Sequence, residues 1–502
     1  MAFFTAIAVL GTVLLLYVLF VKWRQQYWAR KGVPQLKPNL LFGDQMPMVT
    51  GAKSLQDFFL EMYQHSKAAG FRHIGIYNTF KPEYVPLDLN VIRLMLTKDF
   101  AHFGGHGMFS HKNDPLSMNM FSLEGKEWKD IRTKLTPIFT TGKMKMMFET
   151  LLEKSKGLNN VVHGYVRNNT PINIKETLAR FTTDTIGIIA FGLECDTLNA
   201  PDHKFREIGR KAMQPYLWRF IVELLFSYDI LGKLGYHAFG SDVESYFTQI
   251  VKETINYRES NNVQRKDFIQ LMIQLKNQGT VIDGELKGKN FVTTQEIINE
   301  AFLFYRAGFE TSSSTMTFAF FELAQNPDIQ EKLREEILST LEKHEGNITY
   351  DVLMEMEYLD KVIKESLRKY PVVSMLPRIC TKDYKLPDSD IVIEKGTRVH
   401  VPIIGIHLDP EYYPNPAQFN PENFSPENKA KRPDFTWIPF GEGPRQCIGL
   451  RFGIMQSKVG LVSLLKDFRF TLDSTMKPPY ESDKGSLVYM FKKNVMLRAT
   501  KI

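Results

Sequence analysis

The chain has 502 residues, is 43% hydrophobic and 12% aromatic, and carries a formal charge of +7 with its Lys and Arg dispersed. That length is enough to bury a large core, and so mild a charge gives no argument for nucleic acid, leaving a basic patch for an acidic protein partner or an anionic membrane. Three cysteines, Cys195, Cys380 and Cys447, exclude a disulfide framework or a four-thiolate metal site and point to a reducing compartment.

Residues 2–21, AFFTAIAVLGTVLLLYVLFV, carry no charge. A helix of that length spans about 30 Å, the hydrocarbon thickness of a bilayer. Lys22, Arg24, Arg30 and Lys31 follow, interleaved with Trp23, Tyr27 and Trp28. Positive charge on this flank predicts a body in the cytoplasm, with the aromatics at the interface. A cleaved signal peptide would want a basic start and a small-residue cleavage site, and this segment has neither. A retained signal anchor over residues 1–21 is therefore expected. A basic, proline-marked connector over 22–43 and a single catalytic unit over 44–502 follow, with no repeat or low-complexity tract inside it. On the cytoplasmic side the sequons at Asn168, Asn347 and Asn423 are chance matches.

Most of the body reads as helix. The histidines of HFGGHGMFSHK, residues 102–112, are loosely spaced and broken by glycine, which suits a flexible loop over an active site better than a metal set. Residues 124–139 begin as a helix that Pro137 interrupts. Residues 177–194 are apolar nearly all round and belong in the core. Residues 215–236 are strongly apolar, which fits either a core helix or a second membrane contact. Residues 245–261 are amphipathic. The longest helix starts at a capping box, Thr293 to Glu296, and stops at Asn326-Pro327. It is apolar on most faces and should run through the centre of the molecule. In its middle AGFETSSST, residues 307–315, sets a helix-weakening glycine beside an acid and a run of hydroxyls that can bond backbone carbonyls. Strand-like stretches are few: a hairpin-like pair within 384–407, then RFTL and VMLRAT near the C-terminus. A proline-rich meander covers 410–439.

The loop FGEGPRQCIG, residues 440–449, places Cys447 among three glycines and a proline, ahead of an apolar helical pattern. A lone cysteine can be inert core, nucleophile or metal ligand. No nearby histidine offers itself as the base a nucleophile needs. Helix N-terminal N–H groups stabilise a thiolate, and a fixed thiolate without a base suits metal binding.

FGEGPRQCIG matches Phe-x-x-Gly-x-Arg-x-Cys-x-Gly, and the chain thereby resembles the cytochrome P-450 family of haem-thiolate monooxygenases. ESLR supplies the Glu365-x-x-Arg368 pair of that family's K helix, AGFETS the oxygen-activating motif of its central helix, and WKDIR the Trp128 and Arg132 of its C helix. The order is the family's, and the anchor and proline hinge resemble its microsomal members. AFGLECD, DFIQLMIQLK and FGEGPRQCIGLRFG are most similar to the insect microsomal branch that metabolises plant toxins and insecticides.

The resemblance implies a mainly α fold with a minor β region, haem lying between the central helix and the cysteine loop. It implies haem b on Cys447, with Phe440 shielding the sulfur and Trp128, Arg132, Arg378 and Arg445 holding the propionates. Glu310 and Thr311 would deliver protons to iron-bound dioxygen. Glu365 and Arg368 would form a buried structural pair. Asn423 stands where the family usually has the arginine of a third member, which puts the three-membered network in question. Substrate contacts would fall on Phe109, Met120, Phe121, Phe304, Ala307, Val373, Leu376 and Leu487. Electrons would come from NADPH through a membrane-bound flavoprotein reductase, with cytochrome b5 as a second donor, at the endoplasmic reticulum membrane. Lys126, Lys129, Lys134, Lys143 and Lys145 offer the reductase a basic face. Cys195 and Cys380 read as small apolar residues. Two other functions stay open. A haem-thiolate isomerase or dehydratase would turn over without NADPH, and a non-enzymatic haem carrier or sensor would consume no oxygen.

Overall fold

The computed structural model describes residues 1–214, 217–278 and 291–502. The apolar N-terminal stretch forms a helix over Ala2–Arg24. Among the described residues it is the one helix long and apolar enough to cross a membrane. Its end is fastened to the body. Val21 and Trp28 are fully buried, and the Gln25 amide donates to the carbonyls of Asn39 and Thr79 at 2.8 and 2.9 Å. Trp28 lies over Gly75, where a Cβ would sit 2.2 Å from the indole. Lys31 pairs with Glu394 at 2.7 Å.

Deleting residues 2–20 is therefore expected to leave the unfolding midpoint of the body near that of the full chain. Deletion through Lys31 removes Trp28 and should lower stability by about 3–5 kcal/mol, the usual loss for a buried tryptophan. Denaturant titration of the two truncates decides it. Equal midpoints would show that the connector contributes nothing.

The strands nearest the anchor, His73–Asn78 and Lys81–Pro86, carry no strong pattern in the sequence. They form a four-stranded sheet with Arg398–Val401 and Leu376–Ile379, in which the two inner strands are parallel and the outer pairs antiparallel. The expected hairpin exists as Tyr384–Lys385 paired with Val392–Ile393. The C-terminal stretches pair antiparallel as Phe468–Leu472 and Met496–Lys501, with Ile172–Asn173 on the outer edge.

The central helix spans Thr294–Gln325, with both bonds of the Thr293/Glu296 capping box in place. Pro327 then opens the next helix, Pro327–Lys343. The buried helix Ile174–Phe191 and the helix Leu450–Leu465 pack against the central one. The sequence suggests a distortion at Gly308, yet the helix is continuous there. The glycine serves packing instead: a Cβ at Gly308 would lie 2.5 Å from Cδ1 of Ile186. The hydroxyls do bond the preceding turn, Thr311 donating to the Ala307 carbonyl at 2.6 Å and Thr317 to that of Ser313 at 2.7 Å. Residues 124–139 resolve into a helix, Gly125–Leu135, and a 3-10 turn, Thr136–Phe139, that begins one residue before Pro137.

Within the apolar segment 215–236, residues 215 and 216 lie outside the described residues. The rest contains helices Leu217–Leu225 and Tyr228–Lys233. Trp218, Leu225, Phe226, Ile230 and Leu234 are all exposed, so this stretch is not a core helix.

Candidate active site

The cysteine loop depends on glycine at a defined point. Gly443 has φ +74°, and a Cβ there would lie 1.9 Å from the Leu96 carbonyl oxygen, so no other residue fits. The turn Gly443–Arg445 follows, and the Cys447 N–H donates to the Phe440 carbonyl at 2.9 Å. The helix begins at Leu450 rather than at residue 448, which leaves Cys447 in the loop before the first helical N–H groups. Burial pushes the Cys447 thiol up, while the Gly449 N–H and the Arg132 guanidinium favour the thiolate.

Cys447 is deep in the protein and yet has open surface. A side chain both deep and open faces an internal cleft. Ala307 is likewise exposed in the middle of the central helix, and Thr311 one turn on is half-buried. The helix after the cysteine meets the central helix beside that point, since a Cβ on Gly453 would lie 3.8 Å from Ser312 Oγ. Thus Ala307 and Thr311, with their open surface, lie on the helix against which the helix following Cys447 packs. Leu376 reaches the cysteine loop from the sheet, 3.5 Å from where a Gly441 Cβ would be.

Cations gather at its edge. Arg445 stacks 4.2 Å over the Trp128 ring and donates to the carbonyls of Gly104 at 2.7 Å and Met120 at 3.0 Å. Arg132 donates to the Gln446 carbonyl at 2.9 Å. Arg378 is buried, donates to the Pro377 carbonyl at 2.8 Å, and has an Nε with no partner. Burial brings Arg378 down to about 10. Burial and the neighbouring Arg378 bring Arg445 down to about 9, against the pull of Glu124. A fourth basic group is His106, which the sequence marks only as part of a glycine-broken loop; it is stacked 4.4 Å from the Phe121 ring, with Nδ1 2.7 Å from the Phe121 carbonyl. Burial, with Arg378 and Arg445 beside it, lowers it to about 3. Desolvated guanidiniums held together are costly without counter-charge. The two propionates of a haem supply such a charge next to a thiol ligand, so these residues fit that group.

The acid of the central helix is not alone. Glu310 pairs with Lys175 at 2.6 Å, and the same ammonium donates to Ser313 and Ser314 at 2.9 and 3.0 Å. Lys175 lies far earlier in the chain, in the first turn of helix Ile174–Phe191, and no local pattern marks it.

Glu365 and Arg368 are fully buried and doubly bonded, at 2.7 and 2.8 Å. Arg368 also donates to the carbonyls of His407 and Gln418, each at 3.1 Å. The Asn420 N–H donates to Glu365 at 2.9 Å. Asn423 joins the network after all, its amide donating to Glu365 Oε1 at 3.2 Å.

The expected substrate residues separate into two groups. Phe121 at 43%, Val373 at 39% and Leu487 at 60% are exposed, and Leu376 is half-buried. Phe109 and Phe304 are packed into aromatic clusters, the first with Tyr228 and Tyr236, the second with Phe139, Phe268 and Phe452. Met120 is buried too. Of the five lysines, Lys134 is engaged by Glu296 at 3.2 Å and Lys145 by Asp351 at 2.7 Å, while Lys126 and Lys129 are exposed. Cys195 and Cys380 are buried, and burial pushes their thiols up to about 12 and about 11. The histidines of 102–112 go to separate partners: His102 to the Lys382 carbonyl, His106 to that of Phe121, and His111 to the Asn113 N–H.

A sequence model of the family described as Cytochrome P450 matches residues 45–498. Curated relatives include cytochrome P450 6A1 of Musca domestica, 41% identical over 98% of this chain and 97% of its own length. Cytochrome P450 6a2 of Drosophila melanogaster is 40% identical over 95% of each. Cytochrome P450 6k1 of Blattella germanica is 38% identical over 92% of this chain and 90% of its own. With the thiol cleft, the arginine cluster and the mainly α fold in place, the chain belongs to the cytochrome P450 family and is a haem-thiolate monooxygenase.

Proposed function

We propose that the enzyme oxidises a range of lipophilic small molecules, plant toxins and insecticides among them, at the endoplasmic reticulum membrane with its body in the cytoplasm. The observation that carries this reading is the chemistry of the open surface: Phe121, Ala307, Val373, Leu376 and Leu487 all present apolar atoms. Apolar surface orients a ligand loosely, and one methylene discriminates by only about 1–3 kcal/mol. The haem, when bound, supplies the activation of molecular oxygen. NADPH supplies electrons through a flavoprotein reductase, with cytochrome b5 as a second donor, and Lys126, Lys129 and Lys145 are exposed cations of the proposed docking face. The exposed apolar stretch from Trp218 to Leu234 rests on the membrane beside the anchor, and truncates lacking residues 2–20 should still sediment with vesicles.

The chain's own part is positioning and proton supply. Thr311 Oγ1 spends its proton on the Ala307 carbonyl, so its lone pairs are free to accept from water in the cleft. Glu310, held by Lys175, stands one residue away to resupply protons. Thr311→Ala should keep haem and ligand binding while product formation falls by about 100-fold, the low end for positioned proton transfer. NADPH oxidation continues and peroxide accumulates. Unchanged coupling of NADPH to product would remove this role.

The reading itself is tested with reductase, NADPH and a panel of aromatic and terpenoid compounds. Several unrelated lipophilic compounds should turn over, and Phe121→Ala should shift product ratios without loss of haem. Turnover of a single polar compound, or turnover without NADPH, overturns it.

A further inference from the structure

The histidine loop gathers no metal set within itself, but a carboxylate two residues beyond it does meet one. Asp114 Oδ1, His237 Nδ1 and Glu244 Oε2 lie within 4.8 Å of one another. His237 Nδ1 is 3.9 Å from the Asp114 oxygen and 3.6 Å from the Glu244 oxygen. These separations are too long for hydrogen bonds. Asp114 is fully buried. Its Oδ2 accepts the Ala238 N–H at 2.8 Å, but its Oδ1, the oxygen turned to His237, has no hydrogen-bond partner. A fully buried carboxylate oxygen with no donor is expensive to keep. A cation at the centre of the three atoms removes that cost.

We propose that Asp114, His237 and Glu244 form a divalent transition-metal site, of the kind zinc occupies. One imidazole nitrogen and two carboxylate oxygens suit zinc and its neighbours, whereas calcium and magnesium prefer oxygen alone. Zinc bonds run about 2.0–2.2 Å, so the three atoms must draw in slightly. Asp114 is fixed, because its N–H donates to the His111 carbonyl at 2.9 Å and its own carbonyl accepts the Ser117 hydroxyl at 2.6 Å. His237 and Glu244 are 44% and 27% exposed, which gives them room to move and leaves an open side for water to complete the shell.

The site joins two segments distant in sequence. Asp114 closes the loop that carries Phe109. His237 and Glu244 belong to the segment that follows the exposed apolar helices and enters helix Ser241–Asn261. Phe109 already packs 5.0 Å from the Tyr236 ring, and a cavity of about 510 Å³ lined by Trp218, Phe226, Tyr236, His237 and Glu244 opens alongside. A metal here fastens the loop that carries Phe109 to one wall of that cavity, independently of which compounds the enzyme oxidises.

The experiment uses full-length, haem-loaded protein in detergent, titrated with zinc chloride by calorimetry and analysed for metal after gel filtration. One zinc per chain is expected, not displaced by excess calcium. His237→Gln and Glu244→Gln, both at exposed or half-exposed positions, should each weaken binding at least tenfold, and Asp114→Asn should do the same while retaining an acceptor for Ala238. Zinc should also slow the ligand-induced spectral change of the wild type but not of His237→Gln. Absence of a stoichiometric zinc, or zinc uptake that is the same in wild type, His237→Gln and Glu244→Gln, overturns the proposal, the latter result marking adventitious surface binding only.

Discussion

Cys447→Ala is expected to remove the red-shifted Soret band of the reduced, carbon-monoxide-bound enzyme and with it measurable turnover. The reason lies in how little else the loop offers the iron. The cysteine N–H is committed to the Phe440 carbonyl, while the Gly449 N–H and Arg132 are arranged to favour negative charge on sulfur. Outer-sphere changes around a metal ligand cost about 10–100-fold, and loss of the ligand itself should exceed that. The fold should survive, because the side chain faces the cleft and carries no packing of the core. Difference spectra and circular dichroism on the same sample separate the outcomes: a folded variant that keeps the shifted band would show that Cys447 is not the ligand.

Glu365→Ala is expected to be the most destabilising single change in the body. Arg368 would keep the His407 and Gln418 carbonyls and the Tyr413 ring 4.9 Å away, and would remain as a charge with no carboxylate and no exposure to water. Breaking one side of a buried pair costs about 3–5 kcal/mol, against a total stability of about 5–15 kcal/mol. Poor haem retention and a strongly lowered denaturation midpoint should follow. Arg368→Lys keeps the charge but loses the double bond to the carboxylate, so it too should fall well below wild type. Asn423→Ala removes a single hydrogen bond and should cost about 0.5–1.5 kcal/mol. An E365A protein within about 1 kcal/mol of wild type would show that the buried pair is dispensable.

Several features were legible because they are local. The N-terminal helix is a run of uncharged residues, and the central helix announces both of its ends with a capping box and an Asn-Pro stop. Each depends on neighbours a few residues away, whereas the need for glycine at 443 comes also from the distant Leu96 carbonyl. The outcome at Asn423 could not be read that way: whether an amide reaches Glu365 is a matter of where the meander lies over the helix Glu357–Lys369. The same applies to the substrate residues. Phe109 and Phe304 are apolar, as a pocket wants, but so is a core, and packing against Tyr236 and Phe268 put them there.

The sequence by itself determined the local chemistry: a cysteine in a glycine-rich loop, an acid beside an alcohol in the central helix, and a long uncharged stretch at the N-terminus. Those are properties of residue type and short spacing. Only the tertiary structure decided which residues from distant segments meet them. Lys175 reaches Glu310, His106 joins Arg378 and Arg445, the strands of His73–Pro86 find Arg398–Val401, and Asp114 faces His237. Each is a pairing across a long stretch of chain, set by how helices and sheet pack around one core, and no periodicity along the sequence encodes such a distance.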